Sequence, residues 1–249
     1  RLFGRDCHLV DAGVRSREGG WQIALNTREA QGELLWKTAG EGSLEGGFRR
    51  LQIPPAAEAS EGASSIINSL PALNLQVEDF RLGERALGRR ELKARNERGA
   101  WRLDTLNLQN PDGMLTGKAV WQNAARHQTR LDFDLNAKDL GKLLDRLGYE
   151  EVVRSGAARM SGNLQWGGPL TAIHYPSLTG NLHVEASKGQ FYKLQPGVGK
   201  LLGLLSLQAL PRRLTLNFRD IFSEGLAFDS IEGKLAVQSG VMRTQDPLR

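Results

Sequence analysis

The chain is 249 residues long, 40% hydrophobic and 24% charged, with 29 glycines and 9 prolines; that is enough apolar material to bury a core, and it excludes a disordered chain. A mean hydropathy of −0.39, with no apolar run of ~20 residues, excludes a membrane-spanning helix. Lysine and arginine number 33 against 28 acidic residues, a net charge of +5 with a pI of about 9.6, which favours anionic partners such as nucleic acid or lipid headgroups without choosing between them.

The sequence starts at Arg1 with no secretory segment behind it and reads as an excised fragment. Its one cysteine, Cys7, has no second thiol for an internal disulfide or a zinc cluster and reads as a small buried side chain.

In chain order, alternation of apolar and polar residues predicts strands with one buried face at Trp21, Ile23 and Leu25, and at Leu73, Leu75 and Val77. It recurs at Leu131, Phe133 and Leu135, at Leu182, Val184 and Ala186, at Leu214, Leu216 and Phe218, and at Leu235 and Val237. Between them stand mostly polar residues such as Gln22, Asn74, Asp132, His183 and Thr215, the solvated face of an antiparallel sheet. A degenerate repeat, Gly-x-x-x-Trp, occurs at Gly32 to Trp36, Gly117 to Trp121 and Gly162 to Trp166 and argues for an array of hairpins, and the related runs Gly162 to Leu164, Gly180 to Leu182 and Gly233 to Val237 suggest that each of their glycines opens a strand after a tight turn.

Two segments read as helix. Asp139 is a plausible N-cap for Leu140, Leu143, Leu144 and Leu147, giving an accessory helix near 139–153. Pro196 starts a second, apolar almost all round, through Leu201, Leu202, Leu204, Leu205, Leu207 and Leu210, over 196–210. The aperiodic stretch 54–65 reads as a mobile loop, separating strand repeats in 1–53 from a larger region, 66–249. Many one-sided strands with only two helices pose a burial problem, which a sandwich or closed barrel solves with side chains, and an open curled sheet solves only with a ligand or membrane in its trough.

Catalytic and metal signatures fail on spacing. The histidines His8, His127, His174 and His183 lack the i, i+4 pairing of a helical zinc site. Asp132 and Asp134 alternate on a solvated strand face. Gly197-Val198-Gly199-Lys200 misses a phosphate loop, because Leu194 and Leu201 stand where Gly and Ser or Thr are required. The run Arg85 to Arg98 is broken by Glu91 and Glu97 and reads as a solvated strand edge and turn; with aromatics only 6% of the chain, nucleic-acid binding is not expected.

Three stretches form a recognisable set: Leu70 to Leu73, Asp139 to Tyr149, and Gly162 to Pro169. With Pro196 to Leu207, Leu210 to Leu214, Asn217 to Phe222 and Phe228-Asp229, they resemble the YhdP family of AsmA-like proteins, in its C-terminal region. The resemblance implies a mainly β fold, a long curled antiparallel sheet forming an open groove or half-barrel, with two accessory helices. It implies a periplasmic piece of a protein anchored in the Gram-negative inner membrane, moving phospholipid toward the outer membrane with no enzyme chemistry and no cofactor. Acyl chains lying on an apolar strand face gain about 0.8 kcal/mol per buried CH₂.

On that reading Trp21, Ile23, Leu131, Phe133, Leu164, Trp166, Leu182, Leu216 and Phe218 are groove candidates. The 196–210 helix, with Lys200, Arg212 and Arg213 at its ends, is a lid or a contact with the inner leaflet of the outer membrane. The alternative is a non-conducting β-rich scaffold that docks the outer membrane or a partner protein through that helix. Artificial sheet edges would favour edge-to-edge self-association of the fragment.

Overall fold

A computed structural model describes residues 11–17, 19–53, 70–97, 99–122, 128–170, 173–192 and 226–245. The strands are β1 (Asp11–Arg17), β2 (Gly20–Asn26), β3 (Ala30–Lys37), β4 (Ser43–Ile53), β5 (Ala72–Leu82), β6 (Arg85–Glu97), β7 (Ala100–Asn110), β8 (Gly113–Gln122) and β9 (Gln128–Ala137). After α1 (Leu140–Arg146) come β10 (Val153–Gly167), a 3₁₀ turn at Tyr175–Ser177, β11 (Thr179–Phe191), β12 (Ala227–Gln238) and β13 (Val241–Thr244). They form one 13-stranded sheet in sequence order, with β1 and β13 unpaired to each other, so the sheet is not closed. The chain is mainly β, as the alternation predicts.

Antiparallel pairing links β1 through β4, β5 through β7 and β10 through β13. The step from β4 to β5 differs: these strands are parallel, Ser43 opposite Ala72 and Ile53 opposite Leu82. A parallel neighbour cannot follow through a tight turn, because the chain must first return along the full strand length. Residues 54–69 between these strands, with the aperiodic 54–65, lie outside the described residues.

The chain gathers into two compact units. Unit 1 holds Arg1–Asn110, Thr116–Leu131 and Gly167–Ile173; unit 2 holds Pro111–Leu115, Asp132–Trp166 and His174–Arg249. Within each, the sheet curls over its own apolar side. In unit 1 one cluster joins Leu25, Leu34, Phe48, Val77 and Phe80, and another joins Leu92, Ala94, Trp101, Leu103, Ala119 and Trp121. Trp101 on β7 donates its indole N–H to the carbonyl of Pro71, at the start of β5, at 3.2 Å, spanning the strand between. In unit 2 a smaller cluster of Leu182, Leu235 and Val237 is flanked by Phe133, Leu164, Leu178, Val184 and Met242.

The helix near 139–153 is shorter than the sequence suggests. Asp139 caps it, its carboxylate accepting the Lys142 N–H at 3.1 Å, a bond that holds the Asp139 carboxyl below its ordinary range. It stops at Arg146 because Gly148 takes a φ of +83°. There the Gly148 N–H reaches the Asp145 carbonyl at 2.9 Å and the Tyr149 N–H reaches that of Leu144 at 2.9 Å, an ending that needs left-handed backbone and directs the chain into β10. Inside unit 2, Arg146 holds the buried Asp112 of the β7–β8 turn at 2.8 Å through Nε. The second helix, 196–210, lies outside the described residues.

Of the glycines expected to open strands, Gly180 is the second residue of β11, after the 3₁₀ turn, whereas Gly162 and Gly233 lie inside β10 and β12. Gly32, Gly117 and Gly162 sit within β3, β8 and β10, and Gly32 and Gly162 are seats opposite bulk. A Cβ on Gly32 would lie 2.8 Å from the Phe48 ring, and one on Gly162 would lie 2.6 Å from Leu182 Cδ2.

Candidate functional site

The strand registers of unit 1 align its inward-facing residues into rows running across β2 to β7. One row reads Trp21, Trp36, Leu44, Leu73, Ala94, Leu103; the next reads Ile23, Leu34, Gly46, Leu75, Leu92, Leu106; the third reads Leu25, Gly32, Phe48, Val77, Arg90, Leu108. Alternate residues on each strand project to one side, and the registers hold these sides in step. Beyond the third row, paired bulges in β4 and β5 keep Leu51 and Phe80 in contact with the same cluster. Among the described residues the only α-helix is α1, in unit 2, and those of unit 1 supply no helix or second sheet over these rows.

The face is dry in its middle and open at its ends. Leu25, Val77 and Leu103 are buried, whereas Trp21 and Trp36, opposite each other at one end of their strands, are 45% and 44% exposed. Ile53 and Leu82, opposite each other at the far ends of β4 and β5, are 40% and 37% exposed. Large apolar groups left in water at both margins of a continuous apolar band are a surface suited to an amphiphile. On the solvated side, charges answer one another: Arg95 with Asp104 at 3.2 Å, Arg102 with Glu97 at 2.9 Å, Lys93 with Glu91 at 2.9 Å.

The sequence-predicted groove residues divide among these places. Trp21 lies at the open margin, Ile23 packs on the Leu25 cluster, and Leu131 on the Trp121 cluster. Phe133, Leu164 and Leu182 come together in unit 2, and Trp166 is buried at 1% exposure. Leu216 and Phe218 lie outside the described residues, as do Lys200, Leu201, Leu202, Leu204, Leu205, Leu207, Leu210, Arg212 and Arg213.

One functional candidate escaped the sequence reading. The basic run Arg85 to Arg98 is not a sheet edge: β6 lies between β5 and β7. Its Arg90 faces inward, the one charged position in the three rows. Its guanidinium sits 4.4 Å above the centre of the Phe80 ring, and burial lowers its pKa to about 10, which leaves it a cation at neutral pH. The signal was present in the spacing, since Arg90 is in phase with Leu92 and Ala94.

Chemically, the site is an apolar band with a single inward cation. Among the described residues no three His, Cys, Asp or Glu side chains gather as a metal would require. His174 hydrogen-bonds Ser177 at 2.8 Å and His183 contacts Glu185 at 3.0 Å, both in unit 2 and both exposed or half-exposed. No helix among the described residues is long and apolar enough to cross a membrane.

Comparison with known proteins agrees with the resemblance drawn from the motifs. The family described as YhdP protein matches residues 1–248. The chain belongs to the YhdP family. A curated member, the intermembrane phospholipid transporter YhdP of Escherichia coli (strain K12), is 32% identical to it over 58% of this chain. The alignment covers 12% of that relative's length. No solved structure matches.

Proposed function

We propose that this YhdP-family chain forms part of a phospholipid conduit, in which acyl chains lie on the apolar side of the sheet while headgroups stay at its open margin. It works in the periplasm, moves lipid between the inner and outer membranes, and performs no bond chemistry. The observation that carries the reading is the set of apolar rows across β2 to β7, with no covering helix or second sheet among the described residues of unit 1 and ending in exposed Trp21, Trp36, Ile53 and Leu82. A relative named as an intermembrane phospholipid transporter supports it. Covering an acyl chain recovers about 25 cal/mol per Å² of apolar surface without an energy source, and movement along a continuous band exchanges like contact for like.

The test is organic extraction of the purified protein followed by mass spectrometry, with a soluble β-protein of similar size as control. Phospholipid in stoichiometric amount above the control is the expected result. Phospholipid at control level, with apolar dyes also excluded from the Trp21–Trp36 margin, would mean a self-filled face and a non-conducting scaffold.

A further inference from the structure

A cation on an apolar face with no acid beside it among the described residues requires an explanation. A buried charge is normally matched by an opposite charge or a full set of hydrogen bonds, because desolvation otherwise costs several kcal/mol. The other half-buried arginines of unit 1 obey this: Arg50 and Arg81 share Asp79 at 3.4 and 3.1 Å, and Arg102 meets Glu97. Arg90 does not. Its row neighbours are Val77 on β5 and Leu108 on β7, Phe80 covers one face of its guanidinium, and among the described residues no acid pairs with it; its shielded Nε–H lacks an acceptor there, as do those of Arg50 and Arg102. The nearest acids in sequence are committed elsewhere, Glu91 to Lys93 and Asp79 to Arg50 and Arg81.

The position narrows the missing anion. Along its strand Arg90 is followed by Gly88 and then by Arg85, which faces the exposed Leu82 at the margin. The guanidinium therefore stands inward of the Ile53–Leu82 margin, between the buried Val77 and the half-buried Leu75 and Leu106 of the next row along the same face. An amphiphile that presents a negative charge to Arg90 would lay its apolar body on those leucines. A planar fork of N–H donors matches tetrahedral phosphate oxygens two at a time.

We propose that Arg90 is a phosphate seat on the apolar face, taking the phosphodiester of a glycerophospholipid whose acyl chains lie along the Leu75–Leu92–Leu106 row. This rests on the lipid-carrying reading above and adds to it a fixed stopping place for the headgroup. Passage past unit 1 then involves transfer of the phosphate onto and off one arginine, so that lipids without a phosphate are bound on the rows but not registered there.

The test offers the full chain two lipids from nonionic detergent micelles: phosphatidylglycerol, and the diacylglycerol with the same two acyl chains. Bound lipid is quantified for wild type, Arg90→Met and Arg90→Gln. The expected result is a loss of about tenfold in phosphatidylglycerol retention by both variants, the size of one charge-assisted contact, with diacylglycerol retention unchanged. Arg90→Gln supplies the same reading if the methionine variant does not fold. Wild-type retention of phosphatidylglycerol by a folded variant overturns the phosphate seat while leaving the conduit standing. Failure of wild type to retain either lipid overturns the conduit, and the seat with it. Binding of inorganic phosphate by wild type, with phosphatidylglycerol retained no better than diacylglycerol, overturns the headgroup as the source of the anion.

Discussion

In unit 1 the apolar side is filled by size: Phe48, Phe80, Trp101 and Trp121 spread across wide rows, and large side chains at both margins stay in water. Unit 1 also seats Phe48 on Gly32, but in unit 2 fit, glycine against bulk, does most of the filling. Gly162 lies opposite Leu182, Gly180 opposite Leu164, and Gly189 under the Phe228 ring. The same alternation thus produces two surfaces with different tolerance for a guest. Rows of large, partly exposed groups can exchange contact with one another for contact with an acyl chain, whereas a glycine seat occupied by its own cross-strand leucine leaves no room without moving backbone.

The contrast predicts different responses to substitution. Gly180→Ala has the largest expected effect, because φ there is +152° and the added methyl would meet the Asn163 carbonyl; a loss of about 3 kcal/mol is expected from urea unfolding. A cost well under that would show that unit 2 gives way, and the contrast would fail. Asp112→Ala removes the acid that Arg146 grips, with Asp112 at 8% and Arg146 at 28% side-chain exposure. About 2 kcal/mol is expected, less than for a fully buried pair, with faster amide exchange in α1. Trp36→Ser should cost below about 1 kcal/mol, since its ring is already largely in water, yet lower lipid capture in the extraction assay. Equal losses of stability at Trp36 and Gly180 would erase the distinction between an adaptable face and a fitted one.

How much of this was legible depends on how local each feature is. The strands at Ile23 and Leu25, at Leu73 to Val77 and at Leu131 to Leu135 announce themselves by simple alternation. β7 does not, because a bulge between Leu103 and Leu106 puts its apolar residues out of phase. β4 hides behind Gly46, Gly47 and the bulged Arg49, and β1 carries too few apolar residues to alternate. The parallel step from β4 to β5 leaves no local trace, since strand direction is settled by pairing and not by composition. The N-cap at Asp139 was readable from residue type, but the end of α1 was set by the backbone at Gly148. Arg90 was obscured by its basic neighbours: a run of charges reads as solvated unless phase is followed through it residue by residue.

Because every strand is followed in the sheet by the next one in sequence, extent along the ladder is a matter of counting. Each strand contributes about 4.8 Å, so a duplicated hairpin inserted between neighbours adds two increments and leaves the flanking ladders intact. A parallel step such as β4 to β5 frees the count from being even, since it lets a single strand be gained or lost without reversing those that follow. Such a ladder makes the number of strands a heritable quantity, adjustable one strand at a time.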